Sequence, residues 1–135
     1  MDQSSSNRLR DLLASLSPKI RPGTFVFVSV PHGSQQLTKL DPIGWFHEDE
    51  GISAIVPEEQ AGDIEFDTVF RCIILGVDSK LEDVGLTAAV STALADAGIS
   101  ANVVAALQHD YIFVPKAKAE QALAVLMELS KHSLS

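Results

Sequence analysis

The chain has one cysteine, one tryptophan and one tyrosine, and aromatic residues fill only 6% of its 135 positions. A lone Cys72 excludes an internal disulfide and any multi-cysteine metal site. Its setting, Arg71-Cys72-Ile73-Ile74-Leu75, reads as a buried strand, so the thiol is expected to be an inert core group. No apolar run approaches the ~20 residues needed to span a bilayer. The start, Met1-Asp2-Gln3-Ser4-Ser5-Ser6, lacks the basic-then-apolar order of a secretion signal. A cytoplasmic location is therefore expected. Basic charge is also short: 10 Lys and Arg stand against 18 Asp and Glu, a net charge of −8. Nucleic-acid affinity comes largely from Lys and Arg releasing counterions from phosphates, so no nucleic-acid partner is expected. Anionic membrane surfaces are disfavoured on the same ground. An RNA-binding sheet would also want exposed strand aromatics, which the pattern does not offer.

Catalytic motifs are equally scarce. "GVDSKLEDVG", from Gly76 to Gly85, has neither the glycine density nor the Lys-Ser/Thr ending of a phosphate loop. His47-Glu48-Asp49-Glu50 offers donor atoms, but adjacent strand residues point to alternate faces, and no second His follows at i+4. His109-Asp110-Tyr111 would need a nucleophile, a base and an orienting group to do covalent chemistry, and nothing is placed by motif to complete the set. The triplet reads as a hairpin tip, with Asp110 favouring the turn and Tyr111 half-buried on a strand. His32 reads as a loop residue and His132 as part of a tail. Trp45-Phe46 is open to two readings, a ligand platform or a packing and subunit contact. An acylphosphatase-like site would want an Arg and an Asn around a phosphate loop, and Arg71 lies within a strand. No catalytic residue, metal ligand or cofactor is expected.

What the chain does have is apolar residues, 46% of the total, in readable periods. At this length roughly 65–70% of the unfolded surface can be buried. Leu9, Leu12, Leu13 and Leu16 predict a helix over about 7–16, with Ser4 to Ser6 as caps and Pro18 as the stop. Thr24 to Val30 is apolar on both faces and predicts an inner strand. Between 36 and 57 three short strands are expected, at 36–40, 44–48 and 52–56, then a helical turn over 57–62. A soft boundary falls near 62–65. The second half reads strand (68–77), helix (84–97, with Gly98 as C-cap), strands (101–107 and 111–114) and helix (116–130). The helix faces expected inward are Leu86, Val90, Ala93, Leu94 and Ala97, and then Ala119, Ala122, Leu123, Leu126 and Met127. The order β-α-β-β-α matches a split βαβ pattern that lacks its last strand. The first strand of this half then has an open edge, expected to be covered by the strand near 25–30 or by a partner subunit.

The stretch "LTAAVSTALADAGISANVVAALQHDYIFV", Leu86 to Val114, resembles the ACT domain, in particular the regulatory modules of aspartate kinases. The resemblance rests on Leu94-Ala95-Asp96-Ala97-Gly98-Ile99, on Asn102-Val103 and on Asp110-Tyr111-Ile112, in that order. It covers Thr68 to Leu129. "GWFHEDEGISAIVPEE", Gly44 to Glu59, is similar to the first module of small bacterial tandem-ACT proteins that lack a kinase domain.

The resemblance implies an α+β, ferredoxin-like (βαββαβ) sandwich of two tandem ACT-like modules, residues 1–64 and 65–135. The first would be degenerate, having too little chain between Val30 and Leu40 for a full first helix. It implies a non-enzymatic regulatory or sensor protein that binds a small ligand, an amino acid, at an ACT–ACT interface, with a homodimer as the expected assembly. In the family, the loop after the first strand and the start of the next helix offer backbone amides to a carboxylate. Carried onto this chain, the ligand-binding residues are Asp78, Asp83, Val84, Gly85 and Leu86, with Asn102 and Val103 from the strand phrase. Asp83 is either a helix cap or a partner for an ammonium. The competing reading is a ligand-free dimerisation or interaction module that docks on another protein.

Overall fold

The computed structural model describes residues 3–133, with the backbone alone at 3–6; the Ser4 to Ser6 side chains, expected as caps, lie outside the described residues. The elements run α1 (Gln3–Ala14), β1 (Lys19–Ile20), β2 (Phe25–Val30), α2 (Gln36–Lys39), β3 (Gly44–Glu48), β4 (Gly51–Pro57), β5 (Phe70–Ile74), α3 (Leu86–Asp96), β6 (Asn102–Ala105), β7 (Asp110–Pro115) and α4 (Ala119–His132). Single 3-10 turns lie at Glu58–Gln60 and Lys116–Lys118. The chain divides into two compact units: one runs up to Arg21 and resumes at Cys72, and the other is Pro22–Arg71. This compactness differs from the linear division at residue 64 read from the sequence, because the first helix and strand fold onto the C-terminal elements.

In the first unit the strand order is β1-β5-β7-β6. β1 pairs antiparallel with β5, Lys19 opposite Ile74 and Ile20 opposite Ile73. Backbone bonds extend the pairing on either side, Ser17 N–H to Leu75 O (3.0 Å) and Arg21 N–H to Cys72 O (2.8 Å). β6 and β7 form the hairpin, with Val103 opposite Ile112 and Ala105 opposite Asp110. Strand alternation sends Ile73, Leu75, Ile112 and Val114 to the helix side. There they meet Leu12 and Leu13 of α1 and Leu16 just past its end, Leu86, Val90 and Leu94 of α3, and Ala119, Ala122 and Leu126 of α4 in one core. Each large apolar side chain so buried contributes about 1.5–3 kcal/mol. α3 ends as its sequence dictates: Ile99 N–H bonds Leu94 O and Gly98 N–H bonds Ala95 O, both 2.9 Å, which is the Schellman pattern, with Leu94 and Ile99 both buried beneath it.

Three expectations are corrected here. The closing strand of the second half is present, but it comes from upstream: β1 lies against β5, where the strand near 25–30 or a partner subunit was expected, and β2 meets β5 only at Phe25 opposite Phe70. A two-residue pairing has no legible period, so the sequence could not announce it. His132 belongs to the last turn of α4, 3.6 Å from Glu128 one turn earlier, and not to a tail. On the same helix Met127 is 48% exposed, while Val125 and Leu129 supply the packing expected of it.

In the second unit β3, β4 and β2 are consecutive neighbours and Phe25 of β2 pairs with Phe70. β2 and β4 are in register from Phe25 opposite Pro57 to Val30 opposite Ile52. Val26, Val28, Val30, Ile52, Ala54 and Val56 line one face and are sealed by Leu40 and Ala61, with Leu37, Ile64 and Val69 at the margin. Residues 36–39 form one helical turn, not the strand expected there; its Leu37 and Leu40 fit the i, i+3 spacing of a short amphipathic turn. The opposite face carries Phe27 against Phe70 at 5.3 Å, edge to face. Phe27, Trp45 and Phe46 are 36%, 55% and 74% exposed. Exposed strand aromatics are therefore present, contrary to the sequence reading, and packing does not account for Trp45-Phe46. Among the described residues no helix is long and apolar enough to cross a membrane.

Candidate functional site

The loop from Asp78 to Gly85 leaves β5 and opens α3. Gly85 caps α3 with φ +99°, in the left-handed region, and makes no side-chain cap. A Cβ at Gly85 would lie 2.9 Å from Leu9 Cδ2. The backbone angle favours glycine here, and the Leu9 side chain would have to shift to admit a Cβ. The first amides of α3 have no partner within the helix, and the helix dipole places partial positive charge at this end.

Asp83 is held from two directions. Arg8 of α1 donates through Nη2 to Oδ2 (3.1 Å) and through Nε to Oδ1 (3.3 Å), and the Lys80 amide donates to Oδ2 (2.7 Å). Arg8 also donates to the Asp78 carbonyl at 3.4 Å. The Arg8 hydrogen bond, then that of the Lys80 amide, holds the Asp83 carboxyl below its usual range, and the Asp83 bond raises the Arg8 guanidinium above its own.

A cleft of about 40 Å³ opens between this loop and the β6–β7 hairpin, lined by Ser79, Lys80 and Asp83 on one side, Leu86 and Thr87 at the start of α3, and Ala105 and Asp110 on the other. Ligand pockets commonly measure about 300–1,000 Å³, so this cleft is small beside them, with room for only a few atoms. Asp110 is the buried charged residue among those described, 9% exposed. It shares its face with Ile112 and Val114, which carries its carboxylate to the end of the core beside the first turn of α3. Ser79 Oγ donates to Asp110 Oδ2 at 3.0 Å, and Asp110 O accepts from Leu75 N–H at 3.1 Å. Leu81, Val84 and Leu107 are exposed, the first of them at the cleft itself.

Of the residues expected from sequence, Asp83 and Leu86 line the cleft. Asp78 turns a carbonyl to Arg8, Val84 is exposed and Gly85 meets Leu9. Asn102 and Val103 lie apart from the cleft. Val103 packs into the core opposite Ile112, and Asn102, opposite Phe113, falls on the other face of the strand. The residue of β6 that reaches the cleft is Ala105, three positions and about 10 Å further on. Ser79, Thr87 and Asp110 line the cleft without having been marked as ligand-binding from the sequence. Asp110 was read as a turn residue, yet the turn is Ala106 to His109, closed by Ala106 N–H to His109 O at 3.1 Å, and Asp110 is the first residue of β7. The available signal was the alternation Asp110, Ile112, Val114, which puts a carboxylate on the apolar face.

The other candidates stay quiet. Burial pushes the Cys72 thiol up to about 11, against a smaller downward pull from the Arg21 charge, so it is protonated and unreactive near neutrality. His32 Nε2 lies 3.3 Å from the Asp49 carbonyl and its ring is parallel to that of His47, centroids 6.1 Å apart. Glu48 accepts a hydrogen bond from Ser53 Oγ. No group of three or more metal-ligating side chains exists among the described residues.

Comparison with known proteins follows the same lines as this geometry. ACT-domain family models match residues 4–73 and 67–128. No curated protein matches the chain. Among solved structures, a Vibrio cholerae protein of unknown function, described as a possible transport protein, is 43% identical, with a TM-score of 0.85 over 93% of this chain and 98% of that one. A protein from Agrobacterium tumefaciens is 18% identical, with a TM-score of 0.72 over 85% of this chain and 89% of its own. The ligand-free regulatory subunit of aspartate kinase from Thermus thermophilus is 11% identical, with a TM-score of 0.56 over 85% of this chain and 98% of that one, a likeness of fold. With two ACT matches in tandem and a ferredoxin-like strand order in its fully helix-covered unit, this chain belongs to the ACT-domain family, whose modules are commonly regulatory and ligand-binding.

Proposed function

We propose that the protein is a non-enzymatic, cytoplasmic regulatory sensor that binds an amino acid in the cleft beside the start of α3, with a second copy of the chain completing the cover. The observation that carries this reading is the pairing of two opposite poles in one small space. The uncapped amides of α3 at Leu86 and Thr87 form the positive pole. The buried Asp110 carboxylate, bonded to the Ser79 hydroxyl, forms the negative one. An amino-acid zwitterion has the matching groups: its carboxylate suits helix amides and its ammonium suits a carboxylate. The side chain then leaves the cleft past exposed Leu81. Binding acts by favouring one of two assembly states, since an effector shifts an equilibrium only by its differential affinity.

Calorimetry and thermal melting with each of the common amino acids at millimolar levels test this. At least one should raise the melting midpoint, by about 2.7 kcal/mol of stabilisation at a hundredfold excess over Kd. Asp110→Asn should abolish that response with little change in the ligand-free midpoint. No response from the unmodified protein to any of them rejects the sensor reading.

The exposed Leu81, Val84 and Leu107 favour a second reading, an interaction module that docks without ligand. Val84→Ser with Leu107→Ser, both outside the cleft, should then weaken self-association measured by sedimentation without ligand.

A further inference from the structure

We infer that Arg8 is the positioning residue of the cleft, holding the Asp78–Asp83 wall from α1 so that occupancy of the cleft depends on docking of the chain's first helix. The dependence of occupancy rests on the sensor reading; the positioning role does not.

One guanidinium makes the link between segments 70 and 75 residues apart, bonding both Asp83 carboxylate oxygens and the Asp78 carbonyl. Asp83 is also the acceptor that shapes the loop, since its Oδ2 takes the Lys80 amide at 2.7 Å while its own amide bonds Lys80 O at 3.0 Å. Fixing Asp83 therefore fixes Lys80, and with it the neighbouring Ser79, whose hydroxyl is bonded to Asp110 across the cleft. Arg8 controls one wall through a short relay of hydrogen bonds and touches no ligand position itself. The loop gains from such a partner, because Asp78, Glu82 and Asp83 put three carboxylates within one short stretch that holds a single cation, Lys80.

The adjacent residue of α1 adds a steric contact, with Leu9 set where Gly85 has no Cβ. Further along, α1 is anchored by Leu12 and Leu13 in the core and by Ser130 Oγ donating to Ala14 O at 3.2 Å. The helix is thus fixed at its C-terminal part and presents Arg8, 46% exposed, to the loop. The pair is bidentate, the geometry in which Arg is not replaceable by Lys. If a ligand in the cleft favours the held loop, docked α1 favours the ligand to the same degree, because coupling between sites is reciprocal.

Hydrogen exchange of the full chain without ligand tests the positioning role. Arg8→Gln should raise exchange of the amides from Ser79 to Gly85 about three- to fivefold, the scale of one partly exposed ion pair, and leave those of β6 and β7 unchanged. Arg8→Lys should restore only part of the protection. Asp83→Asn keeps an acceptor for Lys80 and removes the charge. The double variant with Arg8→Gln should be no faster than the faster single, the signature of residues acting as a unit. Unchanged loop exchange in Arg8→Gln, or additive effects in the double variant, overturns the inference. In the second arm each common amino acid is titrated in turn. Arg8→Gln should weaken whichever response the unmodified protein gives by a similar factor, and undiminished affinity despite a loosened loop overturns the coupling. If the unmodified protein binds none of them, the sensor reading fails, while the exchange arm still decides the role of Arg8.

Discussion

The two units solve the same packing problem with unequal means. The first covers its sheet with α1, α3 and α4, each of 11 to 14 residues, and buries leucines from all three. The second has a four-residue helix and a three-residue 3-10 turn, and seals a comparable valine-rich face with Leu40, Ala61 and a few marginal side chains. Strand register carries the second unit. The β2–β4 ladder runs unbroken over six residue pairs, and side-chain alternation alone separates its dry face from the one bearing Phe27 and Phe46. A three-stranded run can thus be sealed with almost no helix when one or two apolar plugs cover its dry face. The candidate cleft falls in the unit that kept its helices, because only a helix of several turns supplies a dipole and a set of free amides at a strand end.

Matched substitutions sharpen this contrast. Leu94→Ala empties a fully buried site and should cost in the upper part of the range of about 2–5 kcal/mol for such changes, while Leu40→Ala, on a plug that can collapse, should fall at the lower end. Urea unfolding of both variants measures the difference, and a larger loss at Leu40 breaks the comparison. Next in size is Gly76→Ala, where φ is +69° and the new Cβ would lie 2.2 Å from the Ser17 carbonyl oxygen. It should cost about 2 kcal/mol or more through backbone strain and displacement of β1, read as a lowered melting midpoint. The smallest effect is expected at Asp83. Its folded pKa lies below the ordinary carboxylate value, so its pairing stabilises above about pH 4 and is lost as pH falls through the depressed value. Asp83→Asn should flatten the acid limb of stability against pH and leave the slope near neutrality as it was.

Residue pattern alone reached much of the fold. The leucines at 9, 12, 13 and 16, the β-branched and aromatic run through 24–30, and the "LADAGI" helix end are local codes, and each produced the element expected of it. Where the code was short it failed: 36–40 is too brief to separate one helical turn from a strand, and Lys19–Ile20 has no period at all. The site was legible as a loop but not as a set of partners. Asp83 was marked as a cap or an ammonium ligand, and it is instead held by a residue 75 positions away. Asn102 was chosen by family phrase, and strand parity places it on the face of β6 opposite to Val103.

The amino-acid order by itself determined which segments are helical or extended and which of their faces are apolar, because those follow from periods of 3.6 and 2 residues. Only the tertiary structure decided which segment closes the sheet beside β5, which cation holds Asp83, and that Asp110 faces inward. These depend on chain ends meeting in space, and pairings between distant residues leave no trace in local spacing.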